Sequence, residues 1–176
     1  MIPFETILVW TALFRELWVA GRTFTRVQSS LLALLLVCNF AIMAYEARYT
    51  EPSGLWLRSA GFVLLILALS LLEWAAFCVR GKFFSYIGNP DPPKFIFISG
   101  PYARIRHPFY SSYILTLVAV AMIFPNRVTI AVAVFNFSLL WYAAEFEEQK
   151  FAATEMAGSY RTYIARTGRF LPRFSR

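Results

Sequence analysis

Residues 109–144 read FYSSYILTLVAVAMIFPNRVTIAVAVFNFSLLWYAA, an apolar stretch whose one charge is Arg127. A helix crosses roughly 30 Å of hydrocarbon with about 20 residues. The stretch is too long for one span, and it is interrupted at Phe124-Pro125-Asn126-Arg127, where a proline and a charge make a natural turn. It therefore predicts two spans joined by a tight luminal or external turn.

Upstream, residues 59–79 form a second apolar run with Glu73 as its only charge, and residues 29–45 a third with Asn39 as its strongly polar residue. Residues 2–20 are apolar and aromatic but carry Glu5, Arg15 and Glu16, so they either lie in the interface or cross as a fifth span. They lack a basic leader and a small-residue cleavage site, and are not read as a cleaved signal peptide. Apolar residues are 59% of the chain and charged residues 15%, against roughly 45–50% and 25% in soluble domains. The expected fold is all-α: a polytopic integral membrane bundle of four to five transmembrane helices with a cytoplasmic C-terminal helical segment. At 176 residues it is read as a single domain, residues 1–176.

Of the 17 lysines and arginines, all but Arg48, Arg58 and Arg127 fall on one side of this topology. Basic flanks remain cytoplasmic, which places both the segment before residue 109 and everything after residue 144 on that face. The same bias accounts for the net charge of +7, with anionic lipid head groups rather than nucleic acid as the nearest counter-charge. Cys38 and Cys78 sit inside apolar runs without cysteine or histidine at ligand spacing, so neither a disulfide nor a metal site is expected. No Gly-x-Gly pair occurs, which excludes a glycine-built dinucleotide or phosphate loop.

Two cytoplasmic segments concentrate polar and aromatic groups. In the first, Lys94-Phe95-Ile96-Phe97-Ile98 is β-prone, Ser99-Gly100-Pro101 makes a turn, and Pro108 suits the first turn of the following helix. The chain's one histidine, His107, then stands at the start of a span, close to water. A helix cap with snorkelling arginines would produce the same pattern. In the second, Glu145, Glu147 and Glu148 follow the last span directly. Glu145 and Glu148 share a helix face while Glu147 points toward the side of Ala143 and Phe151. Acids at a helix C-terminus oppose the macrodipole, unless the helix continues past them. Tyr160 and Tyr163 share a face further on, ahead of Arg169-Phe170-Leu171-Pro172-Arg173.

The order Gly-x-Tyr-x-x-x-Arg-His-Pro-x-Tyr from Gly100 to Tyr110, a span pair, Glu147-Glu148, Gly158-x-Tyr160 with Tyr163, and Pro172 resembles the isoprenylcysteine carboxyl methyltransferase and phospholipid methyltransferase family. The resemblance implies an S-adenosylmethionine-dependent methyltransferase without a Rossmann domain. Its cofactor-binding half would be residues 94–172, its pocket would face the cytoplasm, and its lipophilic acceptor would arrive between helices. By position, Ile96, Phe97 and Tyr102 would line the adenosine pocket. His107, Tyr110 and Tyr160 would also contact the cofactor, Pro108 would fix the start of the span, and Glu147 would hold the cofactor's ammonium. Arg106 and His107 would act catalytically, and Arg104 would face the substrate. Apart from the resemblance, Glu73 is an acid inside a span, read either as lining the substrate route or as paired or partly hydrated. Members acting on prenylcysteine carry an arginine one turn before the glutamate aligned with Glu147; here Ala143 stands there, leaving a prenylcysteine-like carboxylate, a lipid amine or a thiol open as acceptor. Two other readings compete: a sterol-reductase-like membrane enzyme using NADPH, and a non-enzymatic scaffold whose basic face binds anionic lipid.

Overall fold

The computed structural model describes residues 6–9, 11, 12, 15, 41–79 and 95–174. Four helices organise them: α1 (Leu55–Cys78), α2 (Pro108–Ile123), α3 (Arg127–Ala152) and α4 (Ala157–Arg166). Residues 41–49 are also helical, as are the described positions before residue 16. Helices α1 and α3 are long and apolar enough to cross a membrane; α2 is a shorter apolar helix of 16 residues. Most of the expected span at 29–45 and of the segment 2–20 lies outside the described residues, so the described part contains two candidate spans, α1 and α3, with the shorter apolar α2 beside them.

The break at residues 124–127 falls where the sequence puts it. Asn126 caps α3, its side-chain oxygen accepting from the Val128 and Thr129 N–H groups, while Thr129 reciprocates to the Asn126 N–H. The Asn126 amide also donates to Glu46 Oε2 at 2.8 Å and Thr50 Oγ1 at 2.6 Å, tying this turn to the helix at 41–49.

Helix α1 buries Gly61, Leu65, Ala68, Leu72 and Ala75 along one stripe. Small residues there let it approach α2 closely, the usual solution where lipid offers no hydrophobic drive. A Cβ on Gly61 would stand 2.7 Å from Ile123 Cγ1 and 3.1 Å from the Ala119 carbonyl. The core is layered along the bundle. Met43, Leu65, Leu117, Ile123 and Phe124 fill the end near the capped turn. Leu72, Tyr110, Tyr113, Leu140 and Ala144 fill the middle. Ala75, Val79, Phe97 and Tyr102 close the opposite end.

Residues 95–98 do not form the strand their composition favours. With no second extended segment beside it among the described residues, the β-prone run instead packs Phe97 against Tyr102, ring centroids 5.6 Å apart. The expected turn is a 3-10 helix at Gly100–Ala103. Gly100 has φ +60°, and a Cβ on it would meet Cys78 Sγ at 2.3 Å, so this position needs glycine for both conformation and space. The one β-type pairing among the described residues is a parallel bridge between Ile105 and Gly168.

Candidate active site

Helix α3 does not stop at the membrane surface. It continues to Ala152, so Glu145, Glu147 and Glu148 stand within a helix rather than at its unfavourable negative end. Glu147 lies about 30 Å along the axis from Arg127, about one bilayer thickness away from the turn at residues 124–127.

Across from these acids, Pro108 begins α2 and His107 is its N-cap residue, but the imidazole makes no capping hydrogen bond. It bridges the two carboxylates instead. Its Nε2 lies 3.1 Å from Glu148 Oε1 and its Nδ1 3.4 Å from Glu147 Oε2. The Tyr110 ring stacks on the imidazole, with planes 4° apart, and the Tyr110 hydroxyl donates to Glu147 Oε1 at 2.6 Å. Burial pushes the imidazolium pKa down, but hydrogen bonds and charge from Glu147 and Glu148 outweigh it, and the net shift is upward from 6.5.

Glu148 is the most heavily bonded acid. Arg106 donates to it through Nε at 2.9 Å, and Arg169 through Nε at 3.1 Å and Nη2 at 2.8 Å. Arg106 also donates to the Thr167 carbonyl at 2.6 Å, and Arg169 Nη2 lies 2.8 Å from Glu145 Oε2. The shared Arg169 bears out the common face read for Glu145 and Glu148. The Arg169 guanidinium lies over the Trp141 ring, 4.7 Å from its centroid.

The segment after α4 is laced to the start of α2 through the backbone. The Arg106 N–H donates to the Gly168 carbonyl, the His107 N–H to the Arg169 carbonyl, and the Gly168 N–H to the Arg104 carbonyl, at 2.8, 3.1 and 3.0 Å. Ser111 Oγ adds a bond to the Phe170 carbonyl at 2.8 Å, and Tyr163 Oη donates to the Tyr102 carbonyl at 2.8 Å.

Among the residues singled out from the sequence, Arg106, His107, Tyr110 and Glu147 come together in one cluster, with Pro108 setting the helix start. Phe97 and Tyr102 form an aromatic wall beside it, and Ile96 is half-buried next to them. Tyr160 is buried but stacks on Phe151, centroids 4.3 Å apart, pinning α4 to the end of α3. Arg104 is exposed and lies over the Phe174 ring. Glu73 forms a bidentate ion pair with Arg15, the pairing that its position inside a span called for. Glu148 and Arg169 were missed as site residues. The signal for Glu148 was its place beside Glu147, and for Arg169 its place in the tail after Tyr163. Among the described residues no group of three or more His, Cys, Asp or Glu side chains is placed to hold a metal ion.

The sequence profile described as phospholipid methyltransferase matches residues 57–157, more than half of the chain, taking in all but the first two residues of α1, all of α2 and α3, His107 and the Glu147-Glu148 pair. The chain belongs to the phospholipid methyltransferase family. This family consists of membrane methyltransferases, in keeping with the long apolar helices. Arg169 and the strap around it lie beyond the matched residues. The cobalt-zinc-cadmium resistance protein CzcN of Cupriavidus metallidurans is 24% identical over 144 residues, covering 80% of this chain and 62% of that protein. The chain thus spans less than two thirds of the length of this curated relative.

Proposed function

We propose that the protein is an integral-membrane, S-adenosylmethionine-dependent methyltransferase acting on a lipophilic acceptor, with its pocket on the cytoplasmic side of a four- to five-span bundle. The observation that carries this reading is the imidazole of His107, which leaves its helix uncapped to bridge Glu147 and Glu148 beneath an aromatic wall. The donor set fits the cofactor. Glu147 offers a carboxylate for the ammonium, and Phe97, Tyr102 and Tyr110 offer aromatic faces for the adenine and sulfonium. Arg106 and Arg169 each carry five N–H groups, more than their contacts with Glu148, Glu145 and Thr167 consume, and so retain donors for a carboxylate.

When bound, S-adenosylmethionine supplies an electrophilic methyl group on a cationic sulfur. The protein's own task is then orientation and exclusion of water. Glu148 serves that task by fixing Arg106, His107 and Arg169 relative to one another. Tyr110 positions Glu147 through its hydroxyl, and the strap at residues 167–170 closes one side. Ala143 is half-buried against the middle core layer, so the acceptor meets no basic side chain at that position. A lipid amine, a thiol or a carboxylate held elsewhere is compatible with it.

Titration of the detergent-purified protein with S-adenosylmethionine, S-adenosylhomocysteine and NADPH tests the reading. Binding of the first two, weakened at least tenfold by Glu147→Gln in a folded protein, is expected; this corresponds to about 1.4 kcal/mol of a charge-assisted contact. Binding of NADPH alone, or unchanged affinity in Glu147→Gln, overturns it.

A further inference from the structure

The arginines around the site divide into two populations. Arg106 and Arg169 turn inward to Glu148. Arg104, Arg161, Arg166 and Arg173 are exposed, and none forms an ion pair with another described residue. Between residues 153 and 174 Glu155 is the one acid, so this outer face is strongly positive.

Two large apolar side chains stand in the middle of that charge. Leu171 and Phe174 are 76% and 72% exposed, and the backbone between them is held at Arg173. The Arg173 N–H donates to the Arg104 carbonyl at 3.2 Å, and the Arg104 guanidinium lies 4.6 Å from the Phe174 ring centroid. The result is a fixed wedge of two apolar tips flanked by two guanidiniums.

Its depth follows from the residue just before it. The Phe170 ring lies 5.9 Å from Trp141 and 6.2 Å from Phe137, centroid to centroid. Phe137 stands about 12 Å deeper along α3 than Glu145, within the apolar part of that helix. The chain therefore dips to the membrane surface at Phe170 and leaves from there through Leu171 to Phe174.

We propose that residues 171–174, together with Arg104, form a docking surface for anionic phospholipid. Leu171 and Phe174 enter the interfacial region, and the guanidiniums of Arg104 and Arg173 meet head-group oxygens. Charge complementarity selects anionic over zwitterionic lipid, because the flanking positive charge has no acidic partner among the described residues. Docking would also hold in place the strap that carries Arg169 to Glu145 and Glu148.

Amide hydrogen exchange of the segment covering residues 167–174 tests this in the full-length protein, in nanodiscs of phosphatidylcholine alone and of phosphatidylcholine with phosphatidylglycerol. Each arginine close to an anionic surface favours the docked state about fivefold. With two arginines, exchange is expected to slow about 25-fold on adding phosphatidylglycerol and to recover at high salt. The slowing should be lost in Arg104→Gln/Arg173→Gln and reduced in Leu171→Ser/Phe174→Ser, all exposed positions where folding is not at stake. Equal exchange in the two lipid compositions, or slowing that persists in both double variants, overturns the proposal. The readout needs no cofactor, so its failure is separable from failure of the methyl-transfer reading.

Discussion

Replacing Glu148 by glutamine changes one atom and removes the charge on which two guanidiniums and an imidazole converge. The side chains of Glu148 and Arg106 are each 9% exposed, and that of Arg169 is 18% exposed, so water cannot take over. The new amide would also point N–H donors at groups that are themselves donors. Removing one partner of a buried ion pair costs about 3–5 kcal/mol. Arg106 keeps the Thr167 carbonyl, Arg169 keeps Glu145, and His107 keeps Glu147, which favours the lower end, about 3 kcal/mol. Arg169→Gln in the same background should then cost less than it does alone, because it removes a cation that has lost its counter-charge. The coupling between the two changes is expected to be about 1–2 kcal/mol. Reversible unfolding in mixed detergent micelles measures all three variants. A Glu148→Gln protein within about 0.5 kcal/mol of wild type, or strictly additive effects, would refute the view that this carboxylate organises the site.

The raised pKa of His107 makes its contribution to stability complete below about pH 6.5, the value in the unfolded chain. That contribution is lost as pH rises through the higher native value, so unfolding midpoints should fall over this window in wild type and less in His107→Gln; parallel pH profiles would count against the bridged imidazolium. Gly100→Ala forces a left-handed conformation on alanine and drives its Cβ onto Cys78 Sγ, for an expected loss of about 2–4 kcal/mol in the same unfolding assay. Asn126→Ala removes the α3 cap and the link to Glu46 and Thr50, and should cost about 1–2 kcal/mol. Because that change lies at the far end of the bundle, cofactor affinity measured by titration should be unaffected.

How far the sequence could be read depended on the range of the interactions involved. The break at residues 124–127 and the start of α2 at Pro108 rest on local chemistry, proline geometry and a run of apolar residues, and both were legible. The β-prone run read at 94–98 carries no strand over residues 95–98, because β-propensity counts only where a partner strand exists. Glu147 could be placed in the site by resemblance, yet the role of Glu148 could not. Its three cationic partners come from residues 106, 107 and 169, brought together only by folding. The helix-cap alternative for His107 also looked equal on the page of sequence, since capping and bridging call for the same residue at the same position. What separates them is where the ring points, and that is fixed by carboxylates about 40 residues away.

The lacing of residues 167–170 onto the start of α2 has a consequence for how the protein is made. Glu148 leaves the ribosome 21 residues ahead of Arg169, about one to four seconds at ordinary rates of synthesis. During that interval the apolar helices can already be inserted while Glu145 and Glu148 lack one of their cations and the strap has not yet emerged. Membrane insertion and completion of the site are thus separate events in time, and a chain whose synthesis halts in between would be lodged in the bilayer with an unfinished pocket.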